Sequence, residues 1–208
     1  LTATGKGTCV GRVFDGMQVR IIKTSFEVLA EIDDTTGLAA GQIGEIIVSG
    51  PVATREYFRR PDATAMAKIR DGNTFWHRMG DVGYFDEMGR LWFCGRKAHI
   101  VWSAAGPMYS VCCESIFNNH PAIFRCALVG IGKHGNQTPV IVAEPESGKF
   151  PASARDQQEL TDELLHLAAG SPLTRDIRRI VFHKDLPVDT RHNVKINREL
   201  LAEWAARL

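Results

Sequence analysis

Short β-branched runs closed by glycine fill the first half of the chain, and they stop at Gly95-Arg96. Residues 18–23 (QVRIIK) follow the turn Phe14-Asp15-Gly16, and residues 44–49 (GEIIVS) lie between Gly41 and Gly50-Pro51. Residues 82–86 and 90–94 flank Glu87-Met88-Gly89, which predicts a β-hairpin. Strands this short and this closely spaced suggest a small barrel or sandwich.

Beyond residue 97 the pattern changes. A helix is expected over about residues 110–118, stopped by His120-Pro121. Apolar strands follow at 126–130 and 140–143. Leu160, Leu164, Leu167 and Ala168 recur at helical spacing, with Gly170 as a cap beyond them. Residues 180–182 read as a third strand. Asn197 is placed to cap a last helix whose Leu200, Leu201, Trp204, Ala205 and Leu208 form one stripe. The fold class is therefore α+β, in two parts: a β-rich part over 1–97 and a small α+β part over 98–208.

Composition narrows the classes of function. The chain has 208 residues, 44% of them hydrophobic, enough to bury a real core. Its 25 Lys and Arg against 24 Asp and Glu leave a formal charge of +1, which argues against a nucleic-acid binder or a polybasic membrane module. No apolar run approaches the ~18 residues of a transmembrane helix. The first residue is Leu1 and no signal segment follows, so the sequence reads as a piece of something longer. Its five cysteines show no C-x-x-C spacing and its seven histidines are scattered, so no metal site is expected. Buried thiols in a reducing cytoplasm are the simple reading.

Local chemical signals are modest when each stands alone. Gly5-Lys6-Gly7-Thr8 is only loosely like a phosphate loop and reads as a flexible end. Gly80-Asp81-Val82-Gly83 sets a carboxylate between glycines. An ionised Asp there could accept two hydrogen bonds from a vicinal diol, or could serve only its own turn. Gly95-Arg96-Lys97 puts two cations at a strand end, suited to phosphate or ribose and equally ordinary on a surface. Lys195 falls in a polar stretch (DTRHNVK) read as a loop before the last helix.

Taken in order, four segments carry more. GEIIVSGPVATREYFRRPDAT, WHRMGDVGYFDEMGRLWFCGRKAHIV, CESIFNNHP and PVDTRHNVKINRELL together resemble the adenylate-forming ligase superfamily of acyl-CoA synthetases, luciferases and peptide-synthetase adenylation domains. WFCGRKAH and RHNVKINR are most similar to the olefin β-lactone synthetases within it. The resemblance implies that residues 1–97 are the β-rich end of a large AMP-binding domain and residues 98–208 a mobile C-terminal lid. It implies that Asp81 holds the ribose hydroxyls of ATP and AMP, that Arg96 lies near ribose and phosphate, and that Lys195 is the lid lysine used for adenylation. Mg²⁺ is implied alongside ATP. Lys184 and Arg198, near Lys195, are expected to be functionally silent.

Departures from the family pattern qualify what it implies. Met79 stands where the family's Y-[RK]-T-G-D motif has threonine, and Ala98 replaces the usual Asp or Lys at the hinge. The glycine-rich loop common after the hinge is here Ser103-Ala104-Ala105-Gly106-Pro107, which restricts approach of a pantetheine arm and favours a ligase that does not use CoA. The phosphate loop and acyl pocket of the family lie upstream of these motifs, so this chain alone is expected not to adenylate. The leading expectation is activation of a long-chain 2-alkyl-3-hydroxy acid and its closure to a β-lactone, with other enzymes of an olefin-forming assembly as partners and no nucleic acid. A fatty acyl-CoA synthetase or fatty acyl-AMP ligase is the enzymatic alternative. A non-catalytic partner-docking module is the alternative of a different class.

Overall fold

The computed structural model describes residues 4–189 and 192–208, which form two compact units. The first is Gly7–Ala98. The second is His99–Leu208 together with the short segment preceding Gly7, which the sequence reading had assigned to the first part.

In the first unit, β1 (Thr8–Gly11), β2 (Gln18–Ile22), β3 (Gly44–Ser49), α1 (Pro61–Ala67), β4 (Lys68–Asp71), β5 (Thr74–Phe85) and β6 (Leu91–Arg96) follow in chain order. The strands form one antiparallel sheet in the order β1-β6-β5-β3-β2, and β4 pairs with the start of the long β5. Its outer strands β1 and β2 are not paired to each other, so the unit is an open sheet rather than the expected closed barrel or sandwich. Period-two alternation divides the side chains between its faces. Ile22, Ile47, Ile69 and Trp76 pack on one face, under Leu29 and Ile32 of the β2–β3 connection. On the other, Val10, Val19, Val48, Met79 and Leu91 line an apolar depression of about 470 Å³.

The β5–β6 hairpin forms as the sequence suggests. Asp86 Oδ1 accepts from the Met88 and Arg90 backbone N–H groups, and Oδ2 accepts from Trp92 Nε1 and Arg90 Nε. Desolvation pushes the Asp86 pKa up, but these donors outweigh it and hold the carboxyl well below its usual range. Gly7 and Thr8, read as part of a flexible end, are held in place. Thr8–Gly11 is a strand on β6, and Gly7, at φ +87°, lies so close to the Phe93 carbonyl that any side chain would collide with it.

The second unit contains β7 (Val101–Ser103), β8 (Gly106–Met108), α2 (Ser110–Phe117), β9 (Ile123–Ile131), β10 (Thr138–Pro145), α3 (Ala154–Ala169), β11 (Arg179–Phe182), β12 (Val188–Asp189), β13 (His192–Ile196) and α4 (Arg198–Ala205). Its main sheet has the order β11-β10-β9, with β10 antiparallel to β9 and parallel to β11. Central β10 is buried on both sides, which explains its unbroken apolar run. Leu128, Ile141, Ala143 and Ile180 pack with α2 and with Leu160, Leu164 and Ala168 of α3. Ala127, Val129, Val140 and Val142 pack with Leu186 and with Leu201 and Ala205 of α4. Each fully buried Leu or Ile contributes ~1.5–3 kcal/mol.

The helix ends follow their local chemistry. Ser153 and Asp156 form a reciprocal capping box on α3, and Asn197 Oδ1 accepts from Leu200 N–H to start α4. Gly170 caps α3 at φ −71°, right-handed rather than in the left-handed conformation that favours glycine. Ser103-Ala104-Ala105-Gly106 is a tight turn between β7 and β8, closed by a bond from Ser103 Oγ to the Gly106 carbonyl. Among the described residues, no helix is long and apolar enough to cross a membrane.

Candidate nucleotide-binding site

The sequence around Asp81 forms a bulge. Along β3, Glu45 pairs with Val82 and Ile47 pairs with Arg78, so the single residue Ile46 faces three on β5: Met79, Gly80 and Asp81. Extra residues on one strand break the ladder and re-aim the side chains they carry. Gly80 makes this possible at φ +70°, with open space where a Cβ would sit; the requirement is therefore conformational, not one of volume.

On its other edge β5 pairs Asp81 directly with Arg96 at the end of β6. Arg96 Nη1 lies 2.9 Å from Asp81 Oδ1 and also donates to the Met79 carbonyl. That oxygen of Asp81 is shielded from water and faces the Arg96 guanidinium as an ion pair. Burial pushes the Asp81 pKa up, and the Arg96 guanidinium offsets this only partly. The Asp81 side chain keeps 18% of its surface exposed beside Arg96, so part of this carboxylate stays open at the strand end.

The third residue of the strand-end triplet has a different role. Lys97 Nζ is 2.8 Å from Glu45 Oε1 and donates to the Ser25 carbonyl, so it is engaged inside the unit rather than offered to a phosphate. Glu45 is fully buried and also receives Arg78 at 2.9 and 2.8 Å. Arg78 makes further bonds to the Ser25, Glu27 and Met66 carbonyls. Sequence reasoning passed over Glu45 and Arg78, whose only local signal was a charge within each of two strands.

Lys195 is exposed and belongs to β13, which pairs with β12, rather than to a loop. Thr190 and Arg191, in the same predicted loop, lie outside the described residues. Arg198, expected to be silent, holds the buried Glu114 through Nη2 at 2.8 and 2.9 Å and is a structural residue. Lys184 is exposed, its ammonium 5.5 Å from the Phe150 ring centre. All five cysteines are free thiols, and Cys9 departs from the buried pattern by being exposed. No group of three or more His, Cys, Asp or Glu among the described residues could hold a metal ion.

No protein-family model matches the chain. It is 48% identical over 99% of its length to the olefin β-lactone synthetase of Xanthomonas campestris pv. campestris, and equally to that of Stenotrophomonas maltophilia. It spans 37% of the length of each of these relatives. It is 30% identical to the 2-succinylbenzoate–CoA ligase of Geobacillus kaustophilus over 74% of the chain and 34% of that protein. Among solved structures, the amide bond synthetase of Marinactinospora thermotolerans superposes with a TM-score of 0.74 at 26% identity, over 95% of this chain and 36% of that one. The o-succinylbenzoate CoA synthetase of Bacillus subtilis shares the fold at a TM-score of 0.68 and 23% identity, over 93% and 35% respectively.

Proposed function

Because this chain belongs to the adenylate-forming ligase superfamily, we propose that it carries the ribose-binding carboxylate and the adenylation lysine of an ATP-dependent ligase that activates a long-chain 2-alkyl-3-hydroxy acid. The observation that carries the reading is Asp81: a half-buried, partly open carboxylate on a glycine-built bulge, paired with Arg96 at 2.9 Å. The ribose 2′- and 3′-hydroxyls would donate to this carboxylate. Arg96 keeps it ionised and oriented and offers a cation toward the phosphates.

In the first half-reaction a carboxylate oxygen of the acid bonds to the α-phosphorus of ATP, and the bond to pyrophosphate breaks. Negative charge shifts over the phosphate oxygens in that transition state. Lys195 is the proposed donor there, a compact ammonium that stabilises charge where it develops. The substrate's own β-hydroxyl then attacks the acyl carbonyl, the bond from that carbon to the AMP phosphate oxygen breaks, and the hydroxyl proton passes to solvent or to the departing phosphate, leaving the four-membered lactone and AMP. Mg²⁺ is proposed to accompany ATP; the described residues form no donor set for it, and no step is assigned through it.

The test is single-turnover adenylate formation by the natural full-length polypeptide at saturating ATP. Lys195→Ala should slow the step by about 10²–10³ while ATP affinity changes little. Lys195→Arg should rescue poorly, because a planar fork replaces a point charge. An alanine variant within a few-fold of wild type overturns Lys195 as the donor. Product analysis with a 2-alkyl-3-hydroxy acid then separates the reactions: lactone without CoA supports this reading, and thioester only with CoA supports the acyl-CoA alternative.

A further inference from the structure

We infer that Glu45 is a positioning residue for the Asp81–Arg96 pair, one buried carboxylate that fastens both strands carrying the ribose-binding groups. The inference rests on the reading of Asp81 above. Its grounds are the register and the bonds around the bulge. Through its backbone Glu45 is paired with Val82, immediately after the bulge. Through its side chain it grips the guanidinium of Arg78, immediately before the bulge, at 2.9 and 2.8 Å. One residue thus bridges the base of the loop formed by Met79, Gly80 and Asp81.

The same Oε1 that receives Arg78 Nε also receives Lys97 Nζ at 2.8 Å, and Lys97 directly follows Arg96. The β6 end is tied to the same point as the bulge. Glu45 is 0% exposed and Arg78 is 4% exposed, so water cannot substitute for either partner. Further bonds from Arg78 and Lys97 end on backbone carbonyls of Ser25, Glu27 and Met66, which immobilise the network on two further segments, the β2–β3 connection and α1. Burial lowers the Lys97 pKa and Glu45 counters it, so the carboxylate also keeps this anchor charged. A functional pair held through locked neighbours keeps its geometry, and loosening the neighbours blurs it.

The position makes a demand that a merely structural residue would not. Loss of Glu45 should erode the preference for ribose over deoxyribose, because that preference is delivered by Asp81. Binding of AMP, 2′-deoxy-AMP and 3′-deoxy-AMP is measured by calorimetry on the natural full-length polypeptide, as wild type, Asp81→Ala, Glu45→Gln and the double variant. Glu45→Gln should reduce the AMP-to-deoxy affinity ratio about three- to tenfold, the scale of coupling within one ion-pair network. The double variant should discriminate no less than Asp81→Ala alone. Lys97→Met, which leaves the Glu45–Arg78 pair in place, should reduce the ratio at least about twofold and covers the case in which Glu45→Gln does not fold. Should Asp81→Ala lower the ratio while Glu45→Gln or Lys97→Met keeps the wild-type value, Glu45 only holds the sheet together and the inference is overturned. Should Asp81→Ala leave the ratio untouched, the ribose reading itself falls.

Discussion

Removing the Arg198 guanidinium tests how the second unit holds together. Glu114, on α2, places its carboxylate at the free edge of β9, where Oε1 accepts the Leu128 N–H at 2.8 Å. Arg198, at the start of α4, closes on the same carboxylate through Nη2 at 2.8 and 2.9 Å and Nε at 3.2 Å. The side chains are 10% and 16% exposed. Deleting one partner of a buried pair costs about 3–5 kcal/mol, because the other charge is left without compensation. Two features move Arg198→Ala toward the lower end. The Leu128 bond survives, and burial already pushes the Glu114 pKa up, so the orphaned carboxyl can take a proton. The expected loss is about 3 kcal/mol near pH 8, or roughly a 10–20 °C fall in Tm for a unit of this size.

The pH dependence of that loss has a definite sign. Burial raises the folded pKa of Glu114, and Arg198 is the largest influence opposing it; without Arg198 the folded pKa rises further. An acid with a raised folded pKa favours the folded state while protonated and loses that contribution as pH rises through the folded value. The variant's deficit should therefore shrink between pH 8 and pH 5. Scanning calorimetry at the two pH values measures it, and Arg198→Lys should restore part of the loss by returning charge without the fork. A deficit under about 1 kcal/mol at pH 8, or one independent of pH, refutes the reasoning.

Asp81→Ala in the natural full-length polypeptide should weaken AMP binding at least about tenfold, since each charged hydrogen bond contributes ~1.5–3 kcal/mol; unchanged affinity with an intact fold would leave Asp81 a turn residue. Because burial holds the Asp81 pKa above its ordinary value, wild-type AMP affinity should decline on acidification before an unperturbed carboxylate would protonate, and Asp81→Ala should lose that decline. Iodoacetamide at pH 8 under native conditions should modify Cys9, which is exposed, and spare Cys113 and Cys126, whose thiols burial holds in the protonated form. Mass spectrometry reads the result, and rapid labelling of either buried thiol would contradict the core packing around α2 and β9.

Periodicity made the second unit legible. Leu160, Leu164 and Ala168 do line the buried face of α3, Asn197 does cap α4, and the apolar run of β10 is a strand covered on both faces. The first unit was read less well because its geometry depends on pairing across long separations. Residues 74–81 (TFWHRMGD) contain two charges, a glycine and only one β-branched residue, yet they extend β5 far upstream of its hairpin, since β3 and β4 supply partners on both edges. Pairing also decides that the sheet stays open, and no local run encodes which outer strands meet. Lys195 was read as a loop residue from its polar neighbours, whereas pairing with β12 makes it part of a short antiparallel ribbon.

The candidate site shows the same division between composition and register. Asp81 between glycines was visible as a possible diol acceptor, and its resemblance to the ligase motif named a ligand. What gives the carboxylate its chemistry was not visible: three residues of β5 opposite one of β3, and Arg96 brought directly across from it by the β5–β6 ladder. Composition alone did not separate Arg96 from Lys97, which the resemblance did; at the end of β6 the chain sends Arg96 to Asp81 and Lys97, the first residue of a 3-10 turn, to the buried Glu45. A single-residue slip of β6 would exchange them, placing Lys97 opposite Asp81 and stranding Glu45 without its second cation. The hairpin turn, pinned by four bonds to Asp86, is what prevents that slip. The pairing of Asp81 with Arg96 thus depends on a turn anchored at Asp86, five residues from the one and ten from the other.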